Sequence, residues 1–397
     1  MKKTYKQLAP DYRLLLGPGP VEVSPRVLNA LSKPLYGHLD PNFLEITNET
    51  MEMLRHVFQT NNRLTLPMSG TGSAGMETVM VNLLEPGDEA IVCVNGVFGQ
   101  RLRDIAQRCG AKVISVEAPW GEIIDPEKVR EAFRSCRKAK LVAIVHAETS
   151  TGIKQPLEEI SKIAKDNDAL LVVDAVTSLG GVELKVDEWG IDACYSGTQK
   201  ALSCPPGLSP ITFSEKAINV LNNRKTKVSS WYLDLSMIQN YWGQKRTYHH
   251  TAPINMIYGL REALLIVCEE GLEKRFKRHQ LNSDAFVAGI EAMGLKMLVK
   301  NKEHRLPTLN AISIPDGIND DLVRQYLLEK YGIEIGGGLG DFKGKAWRVG
   351  LMGESSRRNN VILLLGALGD ALMNQGYKAD IGTAITSALK VYQEAEK

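Results

Sequence analysis

The chain has few of the features that mark metal-binding, disulfide-rich or membrane-spanning proteins. Its 397 residues include only six cysteines, and none of them lies at metal-ligand or C-x-x-C spacing. The longest apolar runs have the length of one strand, far short of the roughly 20 residues that cross a bilayer. The 48 basic and 46 acidic residues leave almost no net charge to attract nucleic acid or an anionic membrane. We therefore expect a reduced, cytoplasmic globular protein without metal, nucleic-acid or membrane partners.

Apolar, strand-like runs alternate with amphipathic helical stretches from about residue 64 to residue 213. We predict strands at 90–94, 112–116, 141–145, 170–174, 193–196 and 210–213. We predict helices between them at 100–109, 126–136 and 157–166. This alternation is typical of an α/β protein with a mostly parallel sheet that helices cover on both faces.

The pattern changes after residue 213. Long helices are predicted over 253–292, short strands at 296–299 and 310–314, and further helices at 320–330, 356–374 and 381–394. We therefore predict an extended N-terminal segment over 1–25, a large domain over 26–252 and a smaller α+β domain over 253–397.

Lys200 and Asp174 form the first candidate for a site. Lys200 follows a small, polar stretch, and Asp174 ends an apolar strand. Ligands of parallel sheets bind at the carboxyl ends of strands, where both residues are expected. Pyridoxal phosphate needs an amine for its Schiff base and a carboxylate for its pyridinium nitrogen. The pair therefore indicates a cofactor site, and a surface lysine after a core strand is the alternative.

The segment 70–75 matches G-x-G-x-x-G, a pattern of dinucleotide sites. That fingerprint also needs an acidic residue at the end of the following strand. The nearest acidic residues, Asp88 and Glu89, come before that strand rather than at its end. The loop suits a single phosphate well, because a helix N-terminus favours an anion and Thr71 and Ser73 add hydroxyl donors. A nicotinamide oxidoreductase and a glycine turn without a ligand are the alternatives.

Several sequence blocks together resemble the class V, fold-type I PLP-dependent aminotransferases, and more narrowly the alanine–glyoxylate/serine–pyruvate aminotransferase family. The resemblance covers nearly the whole chain. The blocks lie at 16–20, 95–101, 148–152, 195–201, 248–251, 336–340 and 347–350. It implies a fold-type I α/β transferase, with a mostly parallel sheet of the seven-stranded type in the large domain.

The resemblance also implies roles for the residues that would hold pyridoxal phosphate. Lys200 would form the Schiff base and then move the proton at the substrate α-carbon, and Asp174 would keep the ring nitrogen protonated. The phosphate would bind Thr71, Gly72 and Ser73, with Gln199 beside them. Phe98 would stack on the ring, where the family commonly has tryptophan, and Val176 would pack on the other face.

On the substrate side, the resemblance implies that Arg348 clamps the α-carboxylate, which its planar guanidinium can bind in a bidentate manner. Ser150 would form a hydrogen bond near the cofactor O3′ and the substrate, and Gly19 would contact the substrate. Tyr248 and Thr251 would reach the phosphate of the neighbouring subunit's cofactor. The protein would then be a homodimer with shared active sites.

The expected reaction is transamination from alanine or serine to glyoxylate or pyruvate. A ureidoglycine–glyoxylate aminotransferase of purine breakdown is the alternative that shares these blocks. A lyase such as a cysteine desulfurase would need a nucleophilic cysteine in the small domain, whereas the last cysteine, Cys268, lies in a helical pattern. We expect His146 to be a half-buried structural residue, and Arg101 and Arg103 to be charges on a helix surface.

Overall fold

The structure, a computed structural model, describes residues 5–397. Its strands are β1 (Leu14–Leu15), β2 (Leu64–Ser69), β3 (Glu89–Val94), β4 (Lys112–Glu117), β5 (Ala139–Val145), β6 (Ala147–Glu148), β7 (Ile153–Lys154), β8 (Leu170–Asp174), β9 (Ala193–Tyr195), β10 (Leu208–Phe213), β11 (Lys296–Met297), β12 (Leu309–Ser313), β13 (Ile333–Glu334), β14 (Gly336–Gly337) and β15 (Ala346–Gly350).

The helices are α1 (Pro25–Leu31), α2 (Pro41–Phe58), α3 (Gly72–Leu83), α4 (Val97–Arg108), α5 (Pro126–Ser135), α6 (Glu158–Asp166), α7 (Glu215–Asn222), α8 (Leu235–Trp242), α9 (Ile254–Glu270), α10 (Leu272–Ala292), α11 (Asp320–Tyr331), α12 (Arg358–Met373) and α13 (Ile381–Ala395). Short 3-10 turns lie at Lys302–His304, Gly340–Phe342 and Gly353–Ser355. No helix within residues 5–397 is long and apolar enough to cross a membrane.

The main sheet has seven strands in the order β2-β10-β9-β8-β5-β3-β4. The pairs from β9 to β4 are parallel, and β10 is antiparallel to both of its neighbours. Every residue of β8 is buried, and β5 is buried except at Lys140, because helices cover the sheet. The predicted seven-stranded, mostly parallel sheet is confirmed, and the carboxyl ends of its parallel strands lie at one edge.

A second sheet of four antiparallel strands has the order β11-β12-β15-β14. Its core contains side chains from α10 to α13 together with Leu14 and Leu16 from the start of the chain. The short strand β1 pairs in parallel with β13, and the backbone N–H of Gly350 donates to the carbonyl of Leu16. This pairing carries residues 17–20 between the two sheets, where they reach the site described below.

The predicted strands of the large sheet agree with β3, β4, β5, β8, β9 and β10 to within a few residues. Helices α1, α2, α7 and α8 and the small hairpin β6–β7 were not predicted. The domain boundaries at 25 and 252 stay a prediction. Helix α9, beyond residue 252, contributes Ile257, Leu260 and Leu264 to the core that covers the main sheet.

Candidate active site

Loops that follow β2, β3, β5, β8 and β9 meet at the carboxyl edge of the main sheet. They enclose a cavity of about 210 Å³. The predicted site residues that line it are Thr71, Gly72, Ser73, Phe98, Asp174, Val176, Gln199 and Lys200. The fold therefore brings together residues that lie far apart in sequence, as the strand-end argument predicted.

One wall of the cavity is the turn from β2 into α3. Thr71 precedes the first turn of α3 in an extended conformation, and its side chain makes no cap hydrogen bond. The first N–H groups of a helix have no partner inside the helix, so they are available to an anion here. Beside the turn, Oε1 of Gln199 is buried and has no hydrogen-bond partner within residues 5–397. The hydroxyls and the N–H groups fit a phosphate group, whereas Gln199 could donate to it only through its side-chain NH2 group, because an amide oxygen accepts hydrogen bonds.

Asp174 ends β8 and is fully buried. The backbone N–H of Val176 donates to its Oδ1 at 2.8 Å, and the Tyr195 hydroxyl donates to its Oδ2 at 2.7 Å. Burial raises the pKa of Asp174 to about 6, while these two hydrogen bonds act in the opposite direction. A cationic partner such as a protonated ring nitrogen would restore the charged form. The sequence offered no sign of the Tyr195 contact.

Lys200 faces Asp174 across the cavity. Burial and the nearby charge of Arg348 lower the pKa of Lys200 to about 8, although Asp174 acts in the opposite direction. Its Nζ donates a hydrogen bond to the carbonyl of Pro18. Gly19 lies directly against this side chain, since a Cβ there would be 2.7 Å from Cδ of Lys200. The segment predicted to contact the substrate therefore lies against the candidate reactive amine.

Ser150 does not line the cavity. It is buried behind the first turn of α4, where its hydroxyl donates to Oε1 of Glu148 at 2.5 Å and accepts from the N–H of Val97 at 3.0 Å. Phe98, in the same turn, is half-buried and exposes its ring to the cavity. Ser150 therefore contacts the element that carries the aromatic ring.

Arg348 lies on β15 and does not line this cavity, but borders another cavity of about 690 Å³. Its Nε donates to the carbonyl of Gly337 at 2.7 Å, and one terminal nitrogen donates to the carbonyl of Thr149 at 3.3 Å. Burial lowers the pKa of Arg348 to about 10, and the charge of Glu148 opposes this shift. Its guanidinium therefore joins the small sheet to the loop after β5, next to the candidate site.

Arg101 is exposed on α4, as expected from the sequence, and it has a second contact that was not expected. Arg103 forms a surface ion pair with Glu117 at 2.6 Å, as expected of a helix-surface charge. Arg101 is also exposed, but it lines the cavity, with its guanidinium carbon 4.9 Å from the centre of the Phe98 ring. An amphipathic helical pattern cannot show that one polar position faces a cavity formed by other segments.

Tyr248 and Thr251 are exposed and do not line the cavity of their own chain. Between them, the His249 ring stacks on Trp231 with 4.3 Å between ring centres. Nε2 of His250 lies 2.8 Å from the hydroxyl of Ser69, at the end of β2. The segment therefore lies beside the candidate phosphate turn of its own chain, and Tyr248 is exposed.

His146 is buried against the edge of Trp189. Burial lowers its pKa to about 3, so its ring is neutral. It does not line the cavity. His146 is therefore buried rather than half-buried as expected, and its Nδ1 has no hydrogen-bond partner within residues 5–397.

Comparison with protein families gives one match over most of the chain. The family described as "Aminotransferase class-V" matches residues 28–340. Among curated proteins, the chain is 43% identical to a (S)-ureidoglycine–glyoxylate transaminase from Bacillus subtilis, with 98% of each sequence covered. It is 42% identical to an alanine–glyoxylate aminotransferase from Drosophila melanogaster, over 93% of this chain and 95% of the relative.

Among solved structures, an alanine–glyoxylate aminotransferase from Nostoc sp. superposes with a TM-score of 0.92 and 48% sequence identity. The comparison covers 94% of this chain and 98% of the Nostoc chain. The part of this chain that superposes on the Nostoc structure therefore includes both sheets and the edge of the main sheet where the cavity lies.

Proposed function

The chain belongs to the class-V aminotransferases and depends on pyridoxal phosphate, and we propose that it moves the amino group of alanine or serine to glyoxylate or pyruvate. One observation carries the proposal. A single cavity of about 210 Å³ holds the Lys200 amine, the Asp174 carboxylate and the anion-binding turn at Thr71–Ser73. These are the groups that pyridoxal phosphate requires: an amine for its aldehyde, a carboxylate for its ring nitrogen and donors for its phosphate.

When bound, pyridoxal phosphate supplies an aldehyde that captures amines and a protonated ring that withdraws electrons from the substrate α-carbon. The turn at 71–73 and Gln199 bind the phosphate. Asp174 would hold a proton on the ring nitrogen, and its hydrogen bonds from Val176 and Tyr195 fix the orientation of its carboxylate. Phe98 and Val176, which both line the cavity, would hold the ring by packing on its faces.

Lys200 moves the proton. An amine with a pKa near 8 has a substantial neutral fraction at neutral pH, so Nζ can accept the proton from the substrate α-carbon and return it during transfer. The Pro18 carbonyl is a hydrogen-bond acceptor for the amine when it is free. Gly19 leaves the space in which the lysine side chain moves.

Arg348 binds the substrate α-carboxylate. Its guanidinium is held by two carbonyl groups, which leaves N–H groups free for a carboxylate. Because Arg348 lies on the small sheet and Lys200 lies in the turn after β9 of the large sheet, a bound carboxylate would join the two halves of the site. Small donors such as alanine and serine need no second clamp.

Ureidoglycine is a second candidate donor, and Arg101 is the observation that favours it. The Arg101 guanidinium contacts the Phe98 ring, and no acidic partner contacts it within residues 5–397. It could donate hydrogen bonds to the carbonyl of a ureido group, whereas the methyl group of alanine offers no acceptor. Arg101→Met should then reduce kcat/KM for ureidoglycine far more than for alanine. Arg103→Met, two residues along the same helix, is the matched control.

The protein is further proposed to be a homodimer in which Tyr248 and Thr251 complete the partner's phosphate site. Exposed aromatic residues around this segment support the proposal, because single domains seldom expose several large aromatic side chains together. These are Tyr36, Trp231, Tyr232 and Tyr248. The six free cysteines support the proposed cytoplasmic location, where thiols stay reduced.

Mixing two inactive variants tests the shared site. A dimer of one Lys200→Ala chain and one Tyr248→Ala chain has one intact site if Tyr248 acts across the interface. Random exchange at equal amounts should then restore about a quarter of the wild-type sites. If Tyr248 serves its own chain, the mixture stays as inactive as its components.

The two half-reactions test the proposed transfer. L-Alanine or L-serine added without an acceptor should bleach the visible band of the holoenzyme and release the matching 2-oxo acid, one molecule per site. Glyoxylate should then restore the band and yield glycine. Aspartate and glutamate are the comparison donors, because their side-chain carboxylates would need Arg101 as a second cationic partner in the cavity. A colourless protein that binds NADH instead would contradict the proposal.

A further inference from the structure

Glu148 is a buried carboxylate that the proposed mechanism does not use. It lies at the end of β6, is fully buried and accepts four hydrogen bonds. Its Oε2 accepts from the N–H groups of Phe98 at 3.1 Å and Gly99 at 3.3 Å. Its Oε1 accepts from Ser150, from the N–H at 3.0 Å and from the hydroxyl at 2.5 Å. Four donors and no acceptor around a carboxyl group favour its charged form.

These bonds complete the N-terminus of α4. The first N–H groups of a helix lack partners within it, and Gly96, which precedes α4, has no side chain to supply one. The N–H groups of Phe98 and Gly99 are bound by Glu148, and that of Val97 is bound by the Ser150 hydroxyl. The two side chains thus cap α4 from outside the helix.

Gly96 lies directly against the side chains of Glu148 and Ser150. A Cβ on Gly96 would lie 2.4 Å from Cδ of Glu148 and 2.5 Å from Oγ of Ser150. Any larger residue would therefore push the carboxylate away from α4. The backbone at Gly96 is extended, which any residue can adopt. Glycine is therefore required here because a side chain has no space, and not because of its backbone conformation.

Glu148 does not line the cavity, but it lies close enough to the charged groups of the site to affect them. Burial raises its pKa, and its hydrogen bonds to Ser150, Gly99 and Phe98 oppose that rise. Its charge offsets that of Arg348 and acts on Asp174 and Tyr195. A carboxylate placed among these groups at the start of α4 also interacts favourably with the helix dipole.

We propose that Glu148 is a positioning residue, which fixes Phe98 against the cofactor through its bonds to the first turn of α4. Arg101 holds the same ring through its guanidinium. The inference rests on the proposed stacking role of Phe98. Without the carboxylate, the first turn of α4 loses two of its external bonds and the ring loses its fixed orientation.

A double-mutant cycle between Glu148→Gln and Phe98→Leu tests the proposal. The amide keeps the shape of Glu148, but its NH2 group is a donor facing N–H donors, so it cannot reproduce all four bonds. Cofactor affinity of the apoenzyme and the visible circular dichroism of the bound cofactor are measured. Glu148→Gln should weaken cofactor binding about tenfold and change the dichroism band, and should have little further effect in the Phe98→Leu background.

Two other results would overturn the proposal. One is equal weakening of cofactor binding in both backgrounds, and the other is a lower melting temperature with unchanged affinity and dichroism. Glu117→Gln is the matched control, because Glu117 binds α4 on its outer surface through Arg103 and should leave both readouts unchanged. If Glu148→Gln fails to fold, Ser150→Ala replaces it in the same cycle, and additivity with Phe98→Leu again counts against the proposal. No substrate is needed, so failure of the proposed donor and acceptor would not affect the result.

Discussion

The hydroxyl of Tyr195 donates a hydrogen bond to Oδ2 of Asp174 at 2.7 Å, and both side chains are buried. The two residues lie on the neighbouring parallel strands β9 and β8, directly opposite each other. With the Val176 N–H on Oδ1, each carboxylate oxygen has one bond from the protein. A carboxylate has about four acceptor positions, so room remains for the ring nitrogen.

Tyr195→Phe should shift the acid side of the pH–activity profile. The hydroxyl stabilises the charged form of Asp174, so its loss raises the pKa of Asp174 in the holoenzyme as it does in the protein without cofactor. A larger fraction of Asp174 is then protonated at a given acidic pH, and kcat falls at a higher pH than in the wild type. A profile of kcat against pH from 5 to 8 measures this, and an unchanged acid limb would contradict the assigned role of Asp174.

Lys200→Ala should abolish both the visible band and turnover. The residue supplies the amine that bonds to the cofactor and the group that moves the α-proton, and no water molecule replaces both. Lys140→Ala is the control, because Lys140 is also partly buried but pairs with Asp88 at the far end of β5. Absorbance and single-turnover assays report the outcome. A coloured and active Lys200→Ala protein would refute the assignment.

The pH dependence of cofactor attachment should follow Lys200. Only the neutral amine attacks the aldehyde, so the rate of attachment to the apoenzyme should rise with pH and level off above about 8. An ordinary lysine would continue to gain rate towards about pH 10.4. Stopped-flow absorbance measures the rate, and a rise without a plateau below pH 10 would show that the pKa of Lys200 is not lowered.

Lys200 should also make the stability of the apoenzyme depend on pH. The folded apoenzyme binds fewer protons at Lys200 than the unfolded chain does between pH 8 and 10.5. Its contribution to the free energy of unfolding therefore rises across that window. Subtracting the denaturation profile of Lys200→Met from that of the wild type isolates this contribution, and a flat difference would contradict it.

Gly19→Ala should impair the lysine without removing it. The new methyl group would lie 2.7 Å from Cδ of Lys200, and the φ of +105° at Gly19 disfavours any side chain. Strain of this kind costs about 1–3 kcal/mol, so we expect slower cofactor attachment and a lower kcat/KM. Gly17→Ala is the control, since its nearest neighbour would be 3.6 Å away. Equal behaviour of the two variants would show that Gly19 has no special relation to Lys200.

The sequence predicted the site where the chain itself carries the pattern. Lys200 and Asp174 follow apolar strands, and strands of a parallel sheet end at the same edge, so their meeting could be expected. The turn at Thr71–Ser73 was predicted because a small, polar loop before a helix is an anion site in itself. These inferences need only the local sequence pattern and the rule that parallel strands end at the same edge of a sheet.

The other contacts join segments that lie far apart in sequence and meet only in the folded protein. Nothing in the sequence around Tyr195 shows that its hydroxyl reaches across to the next strand. Glu148 binds α4 because the segment after β5 lies against the segment after β3 in the folded chain. Arg101 lines the cavity because of the position that α4 takes on the main sheet. Helix α2 is different, because Asp40 before Pro41 is a common helix start and could have been recognised.

The proposed donor is tested most directly by steady-state kinetics with glyoxylate as the acceptor. kcat/KM is compared for L-alanine, L-serine and (S)-ureidoglycine with the same holoenzyme. Our account predicts that alanine or serine gives the highest value. A kcat/KM for ureidoglycine about a hundredfold above both would contradict it and assign the site to the second donor.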